Sequence, residues 1–241
     1  MSHYRTNGFT IIETTLVMAI TGLVAVTILA GIGSSLAHQR YTDAVNQTVS
    51  FFKSQYSRVS NISNERPSEQ MCTSAGISST GSGSERGASD CLLLGHVVRS
   101  ADGKTLSIYQ VIGRRDPSRD VDVSAKTATQ ILSTSSLIQG DKVDEYTIDW
   151  DSRLLNPNTA NAAAFSVMIV RVPVNGVVTT YASGSSSTSV GSLLSTTQSD
   201  KKLCIDQAGF FGIGVKPMGV LIKKASSNTA SVQTIASGDC V

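Results

Sequence analysis

A long stretch without ionisable side chains, near the amino terminus, constrains this chain more than any other feature. Residues 14–37 carry no acidic, basic or histidine side chain. As a helix, these 24 residues would be about 36 Å long at a rise of roughly 1.5 Å per residue. About 20 apolar residues are enough to cross the hydrocarbon core of a bilayer, and lipid forces a crossing backbone to be helical. We therefore predict a single transmembrane helix over residues 9–37.

The residues before this stretch form a distinctive junction. A polar segment, residues 1–8, carries Arg5 and ends in Gly8, and the apolar run begins at once with Phe9. Arg5 agrees with the positive-inside rule, which keeps this end of the helix in the cytoplasm. Glu13 is the fifth residue of the apolar run. A carboxylate in a membrane helix costs about 2.5–3.5 kcal/mol at the bilayer centre, so Glu13 needs either a partner or a place at headgroup level.

The stretch Gly-Phe-Thr-Ile-Ile-Glu over residues 8–13, followed by an apolar helix, resembles the processing signal of type IV prepilins and type II secretion pseudopilins. The resemblance covers about residues 5–40. It implies that a prepilin peptidase removes the leader, residues 1–8, by cutting between Gly8 and Phe9, and then methylates the new amino terminus of Phe9. It further implies that Glu13 pairs with the amino terminus of Phe9 in a neighbouring subunit, which selects the register during assembly. The alternative is that Glu13 only lies at the cytoplasmic headgroups.

Two details of the chain bear on the kind of subunit. Many type IV pilins have a proline at the twenty-second mature residue, where this chain has Ala30. Gly31 and Gly33 follow, and they would either loosen the helix or allow close packing between helices. The missing proline favours a minor pilin or a pseudopilin, and the segment 203–232 resembles minor pseudopilins of the H type.

Residues 38–64 show a helical period that continues beyond the apolar run. Five apolar residues recur at spacings of four, three, four and three: Val45, Val49, Phe52, Tyr56 and Val59. This spacing places them on one face of a helix, with charged residues on the other faces. We predict that this amphipathic half packs on a β-sheet.

The remainder, residues 65–241, is typical of a β-rich head. Residues 65–90 have no periodicity and take the place of the αβ-loop that the pilin resemblance implies. Strand patterns follow at 91–99 and 105–112, at 145–150, at 165–174 and 177–182 around Asn175-Gly176, and in three short segments near the end, whereas 113–143 has no clear pattern. The fold class is therefore α+β, with a long helix on an antiparallel sheet.

Four cysteines, Cys72, Cys91, Cys204 and Cys240, lie beyond the predicted membrane helix. An even number in an exported domain favours disulfides in an oxidising compartment, and four cysteines allow three pairings. We favour Cys72–Cys91 and Cys204–Cys240, since each closes a nearby loop within one structural unit. Free thiols are the alternative.

Residues that carry chemistry are sparse. No nucleophile elbow, phosphate loop or zinc-protease motif is present, and no cysteine or histidine spacing indicates a metal. His96 alternates with apolar residues, as a structural histidine does. The Asp-x-Asp pairs at 120–122 and 149–151 lack the surrounding oxygen ligands of a calcium loop. We predict no catalytic residues, no metal and no cofactor, and hence no enzyme.

Several short clusters of basic residues suggest one further partner, DNA. They are Arg114, Arg115, Arg119, Lys201, Lys202, Lys223 and Lys224. If they converged on one face they would contact phosphates, but the net charge is only +2 and no aromatic residues are interleaved. A scattered solvated surface is the favoured reading.

These observations predict a structural subunit of a type IV pilus-like or type II secretion-like filament. Its partners would be other pilin or pseudopilin subunits, the prepilin peptidase, the inner-membrane assembly platform and the membrane itself. Its amino terminus would be cytoplasmic and its head extracytoplasmic, at the cell surface after assembly. The alternative from another class is a signal-anchored head that binds a ligand or surface partner without forming filaments.

Overall fold

The computed structural model describes residues 10–61, 71–73, 76–78, 91–114, 126–157, 159, 161–206, 217–236 and 238–240. One long helix and antiparallel sheets make up these residues, which confirms the α+β class. The helix α1 runs without a break over Ile11–Ser60. It starts at Thr10, whose side chain accepts a hydrogen bond from the N–H of Glu13, and it ends before Asn61.

In the described part of the chain, the strands form three antiparallel sheets. A small ribbon pairs β1, Met71–Thr73, with β2, Gly76–Ser78. The main sheet contains β3, Cys91–Ser100; β4, Thr105–Arg114; β5, Ser136–Thr147; β7, Phe165–Arg171; and β8, Val178–Ser183. The third sheet contains β6, Leu154–Leu155; β9, Lys201–Ile205; β10, Gly219–Ile222; and β11, Val232–Ile235.

The order in the main sheet is β5-β4-β3-β7-β8, and in the third sheet β11-β10-β9-β6. Consecutive strands pair as hairpins in β3–β4, β7–β8 and β10–β11. Three short helical segments complete the described chain: α2, Ala128–Ser133; α3, Val190–Leu194; and a 3₁₀ turn, Thr229–Ser231.

The carboxy-terminal half of α1 packs into the principal core. The five residues predicted to share a face are all buried, and Tyr41 and Ala44 extend that face. They pack against side chains from both larger sheets, including Val98, Phe165, Leu203 and Val220. The predicted apolar stripe is therefore confirmed, and it holds the two sheets together.

A second core lies on the other face of the main sheet. Strand residues such as Val97, Met168 and Tyr181 pack there against α2 and α3. The helix α2 contributes Ile131 and Leu132, and α3 contributes Val190 and Leu193. The main sheet is thus covered on both faces, which explains why β7 is buried along almost its whole length.

Two hairpins and two loops test the strand predictions. The hairpin predicted around residues 101–104 is confirmed, and Gly103 takes φ 72° there. The hairpin around Asn175-Gly176 is also present, but its loop is longer than a two-residue type I′ turn. Val172 N–H donates to Val177 O at 2.8 Å, so residues 173–176 form a four-residue loop in which only Gly176 has positive φ.

One other strand prediction is correct only in part. The strand predicted over 145–150 is the end of the longer β5, which starts at Ser136, and residues 149–152 turn away from it. Residues 183–199, a Ser/Thr/Gly-rich segment, contain α3. The predicted loop 65–90 contains β1 and β2, and its other residues lie outside the described ones.

Candidate functional site

The amino-terminal half of α1 is the most unusual surface of the molecule. Its large apolar side chains are exposed, with Ile11 at 83%, Met18 at 74% and Leu29 at 69%. Among the described residues, one helix, α1, is long and apolar enough to cross a membrane, and its most apolar stretch is not buried within the protein. We call residues 11–37 the apolar half of α1. So large an apolar surface indicates an environment other than water.

The threonine side chains within the apolar half form hydrogen bonds to the helix itself. Thr14 Oγ1 donates to Thr10 O at 3.0 Å, and Thr15 Oγ1 to Ile12 O at 2.9 Å. Thr21 and Thr27 donate in the same way to the carbonyls of Val17 and Val24, at 2.8 Å each. These hydroxyls therefore need neither water nor a neighbour, as a helix in lipid requires.

Glu13 lies in the first turn of α1 and is exposed. Its backbone N–H donates to Thr10 Oγ1 at 3.3 Å, so Thr10 is the N-cap and Glu13 the third helical residue. A carboxylate at this position interacts favourably with the positive end of the helix dipole. The Thr-x-x-Glu spacing is the sequence signal of this helix start. The other predicted processing residues, Arg5, Gly8 and Phe9, lie outside the described part of the chain.

The glycines of the apolar half stand in open surroundings. A Cβ added at Gly22, Gly31 or Gly33 would meet no atom within 4 Å, apart from the helix's own neighbouring backbone. Among the residues that the structure describes, therefore, no close packing accounts for these glycines. The sequence left close packing between helices as one explanation for the glycines. Such packing would need the helix of a second molecule.

A strained turn lies where the apolar half of α1 meets the head. Ser152 N–H donates to Asp149 O at 3.2 Å, and the two residues between them, Trp150 and Asp151, have φ of 60° and 57°. Left-handed backbone at residues other than glycine costs about 1–3 kcal/mol each. The turn presents Trp150, which is 48% exposed, with the Arg40 guanidinium 4.8 Å from the ring centroid. The sequence indicated the two acids but not the geometry of the tryptophan.

The acids of this turn have structural partners. Lys104 Nζ forms an ion pair with Asp151, which lowers the pKa of that carboxyl. Asp149 supplies the carbonyl that closes the turn. Among the described residues, no group of three His, Cys, Asp or Glu side chains is placed to hold a metal ion. Asp120 and Asp122 lie outside those residues.

The disulfide Cys204–Cys240 is present, with the two Cα atoms 5.6 Å apart. Both cysteines are buried and pack with Ile235, so the bond joins β9 to the segment after β11. Lys202 forms an ion pair with Asp239 beside it. Cys91 is also disulfide-bonded, while the side chain of Cys72, its predicted partner, lies outside the described residues.

The basic residues considered for DNA are only partly brought together. Because Lys201 pairs with Ile222 across β9 and β10, four lysines meet at one end of the third sheet: Lys201, Lys202, Lys223 and Lys224. Acids are interspersed, since Asp239 pairs with Lys202 and Asp200 accepts from the N–H of Lys224 at 2.9 Å. Burial lowers the pKa of Lys201.

Arg114 ends β4 in the main sheet, and Arg115 and Arg119 lie outside the described residues. His96 is buried in β3, opposite Gln110 and Ile169. These placements create no continuous basic groove among the residues described. No family model, curated protein or solved structure matches this chain.

Proposed function

We propose that this chain is a structural subunit, a minor pilin or pseudopilin, of a type IV pilus-like or type II secretion-like filament. One observation carries the proposal. A single unbroken helix has one half exposed and apolar and the other half buried as the core of a β-rich head. Such a helix can anchor the subunit in lipid before assembly and pack against equivalent helices afterwards.

The helix start supports this proposal at the level of single residues. Glu13 is exposed in the first turn, where its carboxylate is free to meet a cation from outside its own helix. In the proposed filament that cation is the amino terminus of Phe9 in a neighbouring subunit, released when a prepilin peptidase cuts after Gly8. An inner-membrane platform would drive assembly, and the head would face the outside of the cell. The role is assembly and not catalysis.

The first experiment is to determine the intact mass and first residue of the protein isolated from its native membrane. We expect a chain that begins at methylated Phe9. An uncut chain would contradict prepilin processing and would favour the second candidate, a signal-anchored head with a ligand of its own. That candidate is favoured by the same exposed apolar half of α1, which would then serve only as an anchor.

The assembly role of Glu13 is tested by Glu13→Ala. We expect leader cleavage to be intact and incorporation into sheared filament fractions to be lost, because the carboxylate no longer pairs between subunits. Asp43→Ala is a matched control, since it removes an exposed carboxylate from the same helix outside the first turn. Filament incorporation of both variants at the normal level would contradict the pairing.

A further inference from the structure

The turn formed by Asp149, Trp150, Asp151 and Ser152 is built to expose an aromatic ring. Both central residues have positive φ, a geometry for which asparagine and glycine are the preferred residues. Here the positions hold the bulky Trp150 and the charged Asp151. A strained backbone persists only where surrounding contacts hold it, and it is concentrated at functional positions. Lys104 and the hydrogen bond from Ser152 provide such contacts.

A contact with Arg40 places the ring beside α1. Arg40 stacks on Trp150 with 4.8 Å between the guanidinium carbon and the ring centroid. Arg40 lies three residues after Ala37, the last residue of the apolar half, which is a rise of about 4.5 Å along the helix. The exposed side of the ring therefore stands close to the level at which an inserted α1 would leave the hydrocarbon.

Tryptophan is enriched at this level of membranes because its ring is largely apolar and its N–H is polar. Arginine and lysine side chains at the same level reach lipid phosphates. Here Arg40 and Lys104 provide cations and Asp149 and Asp151 provide anions, so the surface is mixed in charge. A zwitterionic headgroup layer fits this surface better than a strongly anionic partner does.

We propose that, in the anchored subunit, the Asp149–Ser152 turn lies in the lipid headgroup layer of the outer leaflet, with Trp150 inserted beside Arg40. This inference rests on the membrane-anchored state in the proposed function. It adds a second point of contact between protein and bilayer, so that the head is held at a defined tilt and not merely tethered by its helix.

The chain itself provides the probe, because Trp150 is its only tryptophan. The full chain would be reconstituted in phosphatidylcholine nanodiscs, with bromine placed on the lipid either near the headgroup or deep in the acyl chain. We expect tryptophan emission to be quenched more strongly by shallow bromine than by deep bromine, and to be protected from acrylamide. Emission unaffected by either lipid and fully open to acrylamide would overturn the inference.

A control variant separates this inference from the anchor itself. Leu23→Trp combined with Trp150→Phe places the single tryptophan near the middle of the apolar half of α1, at an exposed position. If this variant is quenched by deep bromine while Trp150 in the unaltered chain is quenched by neither lipid, the anchor stands and the headgroup contact is wrong. If neither protein is quenched, the anchored state fails and the inference fails with it. If Trp150 is protected from acrylamide only at high protein-to-lipid ratio, without quenching by lipid, the turn contacts a second copy and the inference is overturned.

Discussion

The hydroxyl of Tyr41 accepts a 2.7 Å hydrogen bond from the backbone N–H of Met218 and lies 3.2 Å from the carbonyl oxygens of both Ile205 and Met218. Ile205 ends β9 and Met218 precedes β10, so one buried side chain of α1 joins the helix to two neighbouring strands. The contact lies one residue from Arg40, at the point where the helix enters the head.

Tyr41→Phe is expected to destabilise the head by about 1 kcal/mol, because it removes the hydrogen bond to the half-buried backbone N–H of Met218. The free energy of unfolding would be measured by urea denaturation of the full chain in detergent micelles. Gln47→Ala, an exposed change in the same half of α1, should stay within about 0.5 kcal/mol of the unaltered chain. Equal stability of the two variants would show that the Met218 contact contributes nothing measurable.

Tyr56 provides a second prediction, on alkaline pH. Its hydroxyl lies 2.7 Å from Thr180 Oγ1, and burial raises its pKa, an effect opposed by hydrogen bonds to Ser226 and Thr180. A raised pKa in the folded state keeps the phenol neutral while the unfolded chain ionises near its usual value of about 10. The contribution of Tyr56 to stability is thus complete below about pH 10 and is lost as the pH rises further.

Tyr56→Phe should therefore flatten the fall in stability above about pH 10, because phenylalanine does not titrate. The measurement is the denaturation midpoint at neutral pH and at several alkaline values, for the variant and the unaltered chain. Burial also raises the pKa of Tyr146 and lowers that of Lys201, but both groups are common to the two proteins and cancel in the comparison. An unchanged alkaline slope would contradict the role of Tyr56.

The helix and its buried face were predictable because apolar residues at a helical spacing indicate which side of the helix is buried. The spacing from Val45 to Val59 is enough to identify the buried residues without any tertiary contact. The hairpin β3–β4 was predictable for a similar reason, since alternation and a glycine-containing turn are both local signals. Those signals need no knowledge of the rest of the chain.

Elements that bury few side chains give weaker signals in the sequence. The strand β5 lies at the edge of the main sheet and is exposed at most positions, so it shows no alternation of apolar and polar residues. The helices α2 and α3 each bury only two residues. Thr127 and Gln130 form a capping box, which is a local sequence signal for the start of α2. The left-handed Trp150 contradicts local preference, and so only tertiary contacts determine it.

The disulfide Cys204–Cys240 is expected to stabilise the head by about 4 kcal/mol, since it closes a segment with a sequence separation of 36. Cys204→Ala combined with Cys240→Ala should lower the free energy of unfolding by an amount of this order. Denaturation in the absence of reductant is the measurement. The unaltered chain, also without reductant, is the control, because reductant would break the disulfide of Cys91 as well. Equal resistance of the two proteins to urea would contradict the expectation.

Gly95 allows two strands of the main sheet to approach closely. A Cβ at this position would lie 2.1 Å from Ile169 O and 2.9 Å from the Cα of Val170, and both of these atoms belong to the backbone of β7. Since neither can move away without breaking the β3–β7 pairing, Gly95→Ala should cost about 3 kcal/mol or more, the upper range for overpacking. Gly184→Ala is the matched control, because a Cβ there meets no atom within 4 Å. That variant should keep or slightly raise the midpoint of thermal unfolding. A Gly95→Ala protein that unfolds at the same temperature as the Gly184→Ala protein would show that β3 and β7 are not packed as closely as described.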